Sequence, residues 1–307
     1  MKQDLKVFSL AKDGLTGKRP FEDAFKYDAK LGVFAVADGV GLWKGIEYEG
    51  RYPRNSGSKK IAQAFCSDFV RHYKNNPNSN LLSAFRAGNA AAGRVNVGRS
   101  KYDVFRKHKG LFAATAAMAV IKNKELTWAH VCDAGVAVVG KDGKLKMKKD
   151  SCQNHFPMPR DIKKYDDTTW TLFFRTIARN AVSPTGESNG YGVITGEEEV
   201  EGYIEKGAYR LLPGDSVVLF SDGFAPYLEL PTFRKLIVES NLEKDFRIGA
   251  EKIIKQKTEK VEQKLRGKKI DWLASVEVIM ERARAILGKD AKEFEWAKEK
   301  SIIVVKV

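Results

Sequence analysis

Three separate runs of β-forming residues in this chain close on an aspartate: Val33-Phe34-Ala35-Val36-Ala37-Asp38, Thr127-Trp128-Ala129-His130-Val131-Cys132-Asp133 and Val217-Val218-Leu219-Phe220-Ser221-Asp222. A fourth acidic segment, Glu22-Asp23, stands just before an apolar strand. A carboxylate at a strand end is rigidly held, and several such ends can project into one cleft. The chain is thereby confined to folds that deliver strand ends to a common place. Hard oxygen ligands of this kind suit Mg²⁺ or Mn²⁺ rather than zinc. Gly39 and Gly223 follow two of the aspartates, where a residue without Cβ permits a sharp turn and close approach of a carbonyl or a solvated metal. Any single Asp-Gly is weak evidence, because the dipeptide is common in turns. The conjunction carries the inference.

Between these segments, strand and helix patterns are grouped rather than alternating. Residues 5–10 and 23–38 read as strands, followed by a polar loop from Leu42 to Pro53. Ser56 caps a predicted helix with Ile61, Ala64, Phe65, Phe69 and Val70 on one face, and an alanine-rich helix follows from Asn80 to Val97. Strands are predicted over Phe112–Ile121, Leu126–Cys132 and Gly135–Val139, with a hairpin signal at Lys141-Asp142-Gly143-Lys144, then over Gly192–Thr195 and Val217–Phe220. Short connections favour antiparallel pairing. Helical pattern returns from Thr232 to Leu287, and Ile302-Ile303-Val304-Val305 closes the chain as a strand. The class is α+β, most simply two sheets covered by helices.

At 307 residues, 43% hydrophobic and 30% charged, the composition is that of a soluble globular protein, and no apolar run reaches the length of a membrane span. The N-terminal Met1-Lys2-Gln3-Asp4-Leu5-Lys6 carries charge where a signal peptide needs apolar residues. Cys66, Cys132 and Cys152 are scattered, odd in number and without metal-ligand spacing, so the expectation is a cytoplasmic, reduced protein. The net charge of +15 is spread along the chain, densest over Lys144–Lys149 and Lys252–Lys269. A solvated helix face accounts for the second stretch, and without zinc-finger spacing or aromatic ribonucleoprotein motifs nucleic-acid binding is not expected.

Five segments resemble the metal-dependent protein phosphatases of the type 2C family. They are Arg19-Pro20-Phe21-Glu22-Asp23-Ala24-Phe25, Phe34-Ala35-Val36-Ala37-Asp38-Gly39-Val40-Gly41, Ala114-Thr115-Ala116-Ala117-Met118-Ala119-Val120, Ala129-His130-Val131-Cys132-Asp133-Ala134, and Leu211-Leu212-Pro213-Gly214-Asp215 leading into Leu219-Phe220-Ser221-Asp222-Gly223. They occur in the family's order and at about its spacing, so the resemblance takes residues 1–307 as one domain. It implies a central antiparallel β-sandwich flanked by helices on both faces. It also implies a serine/threonine phosphoprotein phosphatase with two Mg²⁺ or Mn²⁺ ions and a phosphorylated protein as substrate. By that resemblance Asp38 bridges the two metals with help from the Gly39 carbonyl, and Asp222 holds one of them. Glu22 contacts the other directly or through water, Asp23 orients it, and Asp133 belongs to a third, weaker site. Arg19, four residues before Asp23, is the expected phosphate anchor, because a guanidinium grips phosphate with two parallel hydrogen bonds as Lys18 cannot.

The other reactive side chains invite no catalytic role. His130 lies in an apolar strand, His72 and His108 among basic residues, Cys132 fills space, and Ser221 has no histidine and aspartate set to activate it. Two positions depart from the family. Its closing motif sets an aspartate ligand ahead of the last strand, where this chain has Lys298 with Glu299 beside it. Either Glu299 substitutes after a one-residue shift, or one metal is held well and the other poorly. Pro226 stands where many relatives have a further acidic residue. The alternatives left open are an active phosphatase, a weak or inactive relative that binds a phosphoprotein or signalling partner, and an unrelated anion-binding protein.

Overall fold

Strands with apolar residues on both faces need cover on both faces, and two sheets packed together with helices outside provide it. The computed structural model describes residues 5–14, 20–42, 47–48, 51–102, 110–152, 169, 172–268, 282–283, 285–288, 296 and 298–307. One five-stranded sheet has the order β1-β10-β9-β6-β7, from β1 (Lys6–Lys12), β6 (Gly135–Val139), β7 (Leu145–Lys149), β9 (Ser216–Phe220) and β10 (Lys300–Lys306). The second has the order β2-β3-β4-β5-β8, from β2 (Ala24–Asp28), β3 (Val33–Gly39), β4 (Ala114–Lys122), β5 (Glu125–Val131) and β8 (Glu205–Arg210). Every pairing is antiparallel.

Residue alternation along β3 shows how the layers share the strands. Phe34 and Val36 enter the core between the sheets with Val136, Val138, Leu219 and Ile303, while Val33, Ala35 and Ala37 face the helices. Those helices are α1 (Gly57–Asn75) and α2 (Leu81–Val95), which send Ile61, Phe65, Phe69 and Phe85 onto the second sheet. Ser56 caps α1 by accepting from the Lys59 N–H at 3.1 Å, and Asn80 caps α2 by accepting from Ser83 at 2.8 Å. The first sheet is covered by α3 (Ala225–Leu228), α4 (Pro231–Glu239) and α5 (Glu243–Leu265), through Phe224, Tyr227, Phe233 and Phe246. Burying each of these aromatic side chains stabilises the fold by about 1.5–3 kcal/mol before entropy is counted. Among the described residues no helix is long and apolar enough to cross a membrane.

The α+β class and the helix-covered antiparallel sandwich agree with the sequence reading, but several local expectations do not hold. Gly192–Thr195 is not a strand; Ile194 makes only an isolated bridge to Ala114. The strand beside β5 is β8, whose Glu-Lys-Gly-Ala-Tyr-Arg sequence is too polar to read as a strand but suits a sheet edge. The loop after β3 is less polar than its composition, because Leu42, Tyr48 and Tyr52 form a small buried cluster. The cysteines are not all reduced. Cys132 and Cys152 are joined in a disulfide, with Cα atoms 3.7 Å apart, and Cys66 is free and buried. Val136 pairs with Lys149 across β6 and β7, which brings the residues just before one strand and just after the other to the same end. That meeting depends on register and is invisible in cysteine spacing.

Candidate metal centre

Strand register assembles the acidic residues. In the first sheet Phe220 pairs with Gly135 on one side and Ile302 on the other. Asp222 just beyond β9, Asp133 just before β6 and Glu299 just before β10 therefore leave the sheet at one end. In the second sheet Ala24 pairs with Ala37, so Asp23 falls beside Asp38, and Asp38 itself pairs with Thr115. Asp133 sits where the chain crosses from β5 of one sheet to β6 of the other. The two sets of strand ends thus face each other.

Asp23, Asp38 and Glu299 each present a carboxylate oxygen within 4.8 Å of the others. Asp23 is buried, with 3% of its surface exposed. Its Oδ2 accepts from the Ser221 hydroxyl at 2.6 Å, and Ser221 Oγ accepts in turn from the Ser301 N–H at 2.9 Å. Its Oδ1 has no hydrogen-bond partner among the described residues. A buried carboxylate oxygen left in that state is costly, by about 1–3 kcal/mol, unless a cation or proton meets it. Glu299 Oε2 accepts from the Glu22 N–H at 3.1 Å. The Glu22 carboxylate accepts from Tyr52 Oη at 2.6 Å and from the Ser56 hydroxyl at the head of α1, where the helix dipole favours negative charge. The geometry therefore sets Asp23, rather than Glu22, in the cluster with Asp38 and Glu299.

Burial and mutual repulsion make these acids harder to ionise than free carboxylic acids. Burial, then the charges of Asp23, Asp222, Glu299 and Asp133, push Asp38 well above the usual carboxylate range. Glu299 is pushed the same way by burial and then by Asp23 and Glu22. Asp23 is pushed up to about 6, mainly by burial, with the Ser221 hydrogen bond opposing. Asp133 also rises to about 6 through burial and then Asp222, while Lys298 opposes. A group of carboxylates that cannot all ionise, one with an unpartnered oxygen, fits a hard divalent cation that would displace the protons on binding.

The glycines act through contact rather than through an unusual backbone conformation. A Cβ on Gly39 would lie 2.9 Å from the Glu22 Cβ and carbonyl oxygen, and one on Gly223 only 2.1 Å from the Glu299 carbonyl oxygen. Lys298 places its Nζ 2.7 Å from Asp222 Oδ2. Lys300, 1% exposed, donates to the Trp296 carbonyl at 2.8 Å and lies 5.2 Å from the Tyr227 ring centroid; burial pulls its ammonium down to about 8 against the pull of Asp222 and Asp23. The loop after β3 is braced by Arg175, which donates to the Gly41 carbonyl at 2.7 Å, and the segment leading into β4 by Arg179, which donates to the Leu111 carbonyl at 2.7 Å. Glu47 lies between these two arginines.

Of the residues singled out in the sequence, Asp23, Asp38 and Glu299 converge, and Asp133 and Asp222 flank them. Gly39 adjoins the cluster, Glu22 turns toward Tyr52 and Ser56, and Arg19 lies outside the described residues. His130 is a buried strand residue, as expected, with Nδ1 2.9 Å from the Cys132 carbonyl and Nε2 3.3 Å from Glu205. Sequence reasoning missed Tyr52, Ser56, Ser221 as a carboxylate holder, Lys300 and the two arginines. Only Ser56 carried a signal, as a helix cap.

A family model described as Protein phosphatase 2C matches residues 15–266. No curated protein matches the chain. Among solved structures it is similar to the catalytic domain of the serine/threonine phosphatase PstP in complex with two manganese ions, at 17% identity, covering 98% of this chain and 97% of that one with a TM-score of 0.52. It is also similar to PppA, a regulatory component of the T6SS in Pseudomonas aeruginosa, at 15% identity, 99% and 98% coverage and a TM-score of 0.52. The S. agalactiae serine/threonine phosphatase is a further neighbour, at 15% identity, 99% coverage of each chain and a TM-score of 0.53. At such identities the structural likeness speaks for the fold.

Proposed function

The chain belongs to the protein phosphatase 2C family of serine/threonine phosphatases, and from that premise we propose that it hydrolyses phosphoserine and phosphothreonine esters of proteins with Mg²⁺ or Mn²⁺. The observation that carries this reading is the convergence of Asp23, Asp38 and Glu299 within 4.8 Å, with Asp23 Oδ1 buried and unpartnered. Bound there, a divalent cation would make water a usable nucleophile near neutral pH and offset charge on the phosphoryl oxygens.

The chain's own groups prepare that event. Asp23, Asp38 and Glu299 would hold the cation, with Asp133 and Asp222 alongside. Ser221 fixes the orientation of Asp23, and the Glu22 N–H fixes that of Glu299. Tyr52 and Ser56 restrain Glu22, so the loop after β3 and the start of α1 support the same wall of the site. Arg19 is proposed to anchor the phosphate, on the strength of its charge, its fork of donors and its place four residues before Asp23. Water then displaces the seryl or threonyl oxygen, giving inorganic phosphate and the free hydroxyl. A second reading, a relative that binds a phosphoprotein without hydrolysing it, is favoured by one observation, the Lys298 ammonium on Asp222.

The test is p-nitrophenyl phosphate and phosphopeptide hydrolysis with EDTA, Mg²⁺ or Mn²⁺. Metal-stimulated turnover that disappears in Asp38→Asn supports the first reading. Phosphopeptide binding with no turnover under any metal supports the second.

A further inference from the structure

We propose that Lys298 is a resident cation in this site, so that the chain takes one divalent ion where a two-metal site would take two. The assignment rests on the metal-dependent reading above. It starts from a division of labour among the acids. Asp23, Asp38 and Glu299 form one oxygen-donor group, and the buried Oδ1 of Asp23, with no partner among the described residues, marks that group as built for a ligand. Asp222 is engaged differently: its Oδ2 meets the Lys298 ammonium at 2.7 Å.

Lys298 thus neutralises the Asp222 side of the cluster with one positive charge, fixed by the chain rather than drawn from solution. A divalent ion brought to the same oxygens would have to displace an attached ammonium or sit against it, and like charges at such separations repel strongly in a partly buried site. Glu299 does not compete for that role, because its Oε2 is held by the Glu22 N–H on the Asp38 side. Lys300 does not duplicate it, because its Nζ is turned to the Trp296 carbonyl. The two neighbouring residues that looked like alternatives in the sequence therefore do separate jobs. Glu299 supplies an oxygen to the divalent ion, and Lys298 stands in for the other ion.

The test counts ions. Mn²⁺ bound per full-length chain is measured by equilibrium dialysis with elemental analysis, and electron paramagnetic resonance separates isolated ions from coupled pairs. Wild type should bind one ion with an isolated-ion spectrum. Lys298→Asp, which exchanges a cation for a hard oxygen donor, should bind two, with the second step tightened by at least about tenfold and a coupled-pair spectrum. Lys298→Met, which removes the charge without adding a ligand, should gain weak second-site binding and guards against a folding failure of the aspartate variant. Two ions of similar affinity in wild type, with metal-stimulated hydrolysis, would overturn the Lys298 assignment and leave the phosphatase reading standing. A count that stays at one in both variants would also overturn it. No bound ion in any of the three proteins would overturn both.

Discussion

Removing divalent cations should make this protein less stable as pH rises from 4 to 7, the reverse of ordinary acid unfolding. The perturbation is chelation, and Asp23 sets its size. Its carboxyl moves from 3.8 to about 6, chiefly by burial. Between those values the folded chain keeps a proton that the unfolded chain has released, so the stability this group contributes is present below the lower value and is lost as pH climbs through the upper one. A shift of about two units corresponds to about 3 kcal/mol. Asp133 shifts in the same direction. Asp38 and Glu299 are pushed in the same direction by burial and by their acidic neighbours, and so add to the loss. Lys300, pulled down to about 8, acts only at more alkaline pH. For a domain of this size about 3 kcal/mol lowers Tm by roughly 5 °C. Thermal melts in EDTA at half-unit steps should show that fall, excess Mn²⁺ should remove most of it, and Asp23→Asn should flatten it without metal. A Tm in EDTA that is constant or rising over this window would refute the picture of carboxyls held protonated by burial.

Gly223→Ala should lower stability in urea by about 1–3 kcal/mol and weaken Mn²⁺ binding, because the new methyl must displace the Glu299 carbonyl that lies 2.1 Å away; unchanged binding would mean that the Glu299 backbone does not set the site. Tyr52→Phe leaves Glu22 Oε2 and the Leu42 N–H, which Tyr52 Oη accepts at 2.9 Å, short of one partner each. The expected loss is about 2 kcal/mol, with reduced turnover, and calorimetry on the purified variant checks it. Arg19→Ala should raise KM for a phosphopeptide more than it lowers kcat; a defect that appears in Lys18→Ala instead moves the anchor by one residue.

The fold was legible where one signal dominated. Buried β3, β4 and β9 are continuous apolar runs, and α1 and α2 carry capped, one-sided faces. Edge strand β8 was hidden because an edge tolerates Glu, Lys and Arg. The acids at strand ends were visible as a set, since each borders its own strand. Their grouping was not, because Glu22 and Asp23 are neighbours in sequence and only the pairing of Ala24 with Ala37 decides which of them faces Asp38. The same holds for Lys298 and Glu299 ahead of β10. Tyr52, Ser221 and the arginines reach the site through tertiary contacts that leave no periodic trace.

The place of β10 ties competence to residues 298–306. This strand lies between β1 and β9, so the first sheet remains in two pieces until residues 300–306 have been made. The residues just ahead of it are Lys298 and Glu299. A growing polypeptide can therefore complete the second sheet, with Asp23 and Asp38 in register, and still lack both the cation and the carboxylate that finish the centre. Strand β10 acts as a keystone, and a chain cut ahead of Lys298 would be left unable to close its sheet or to assemble its site.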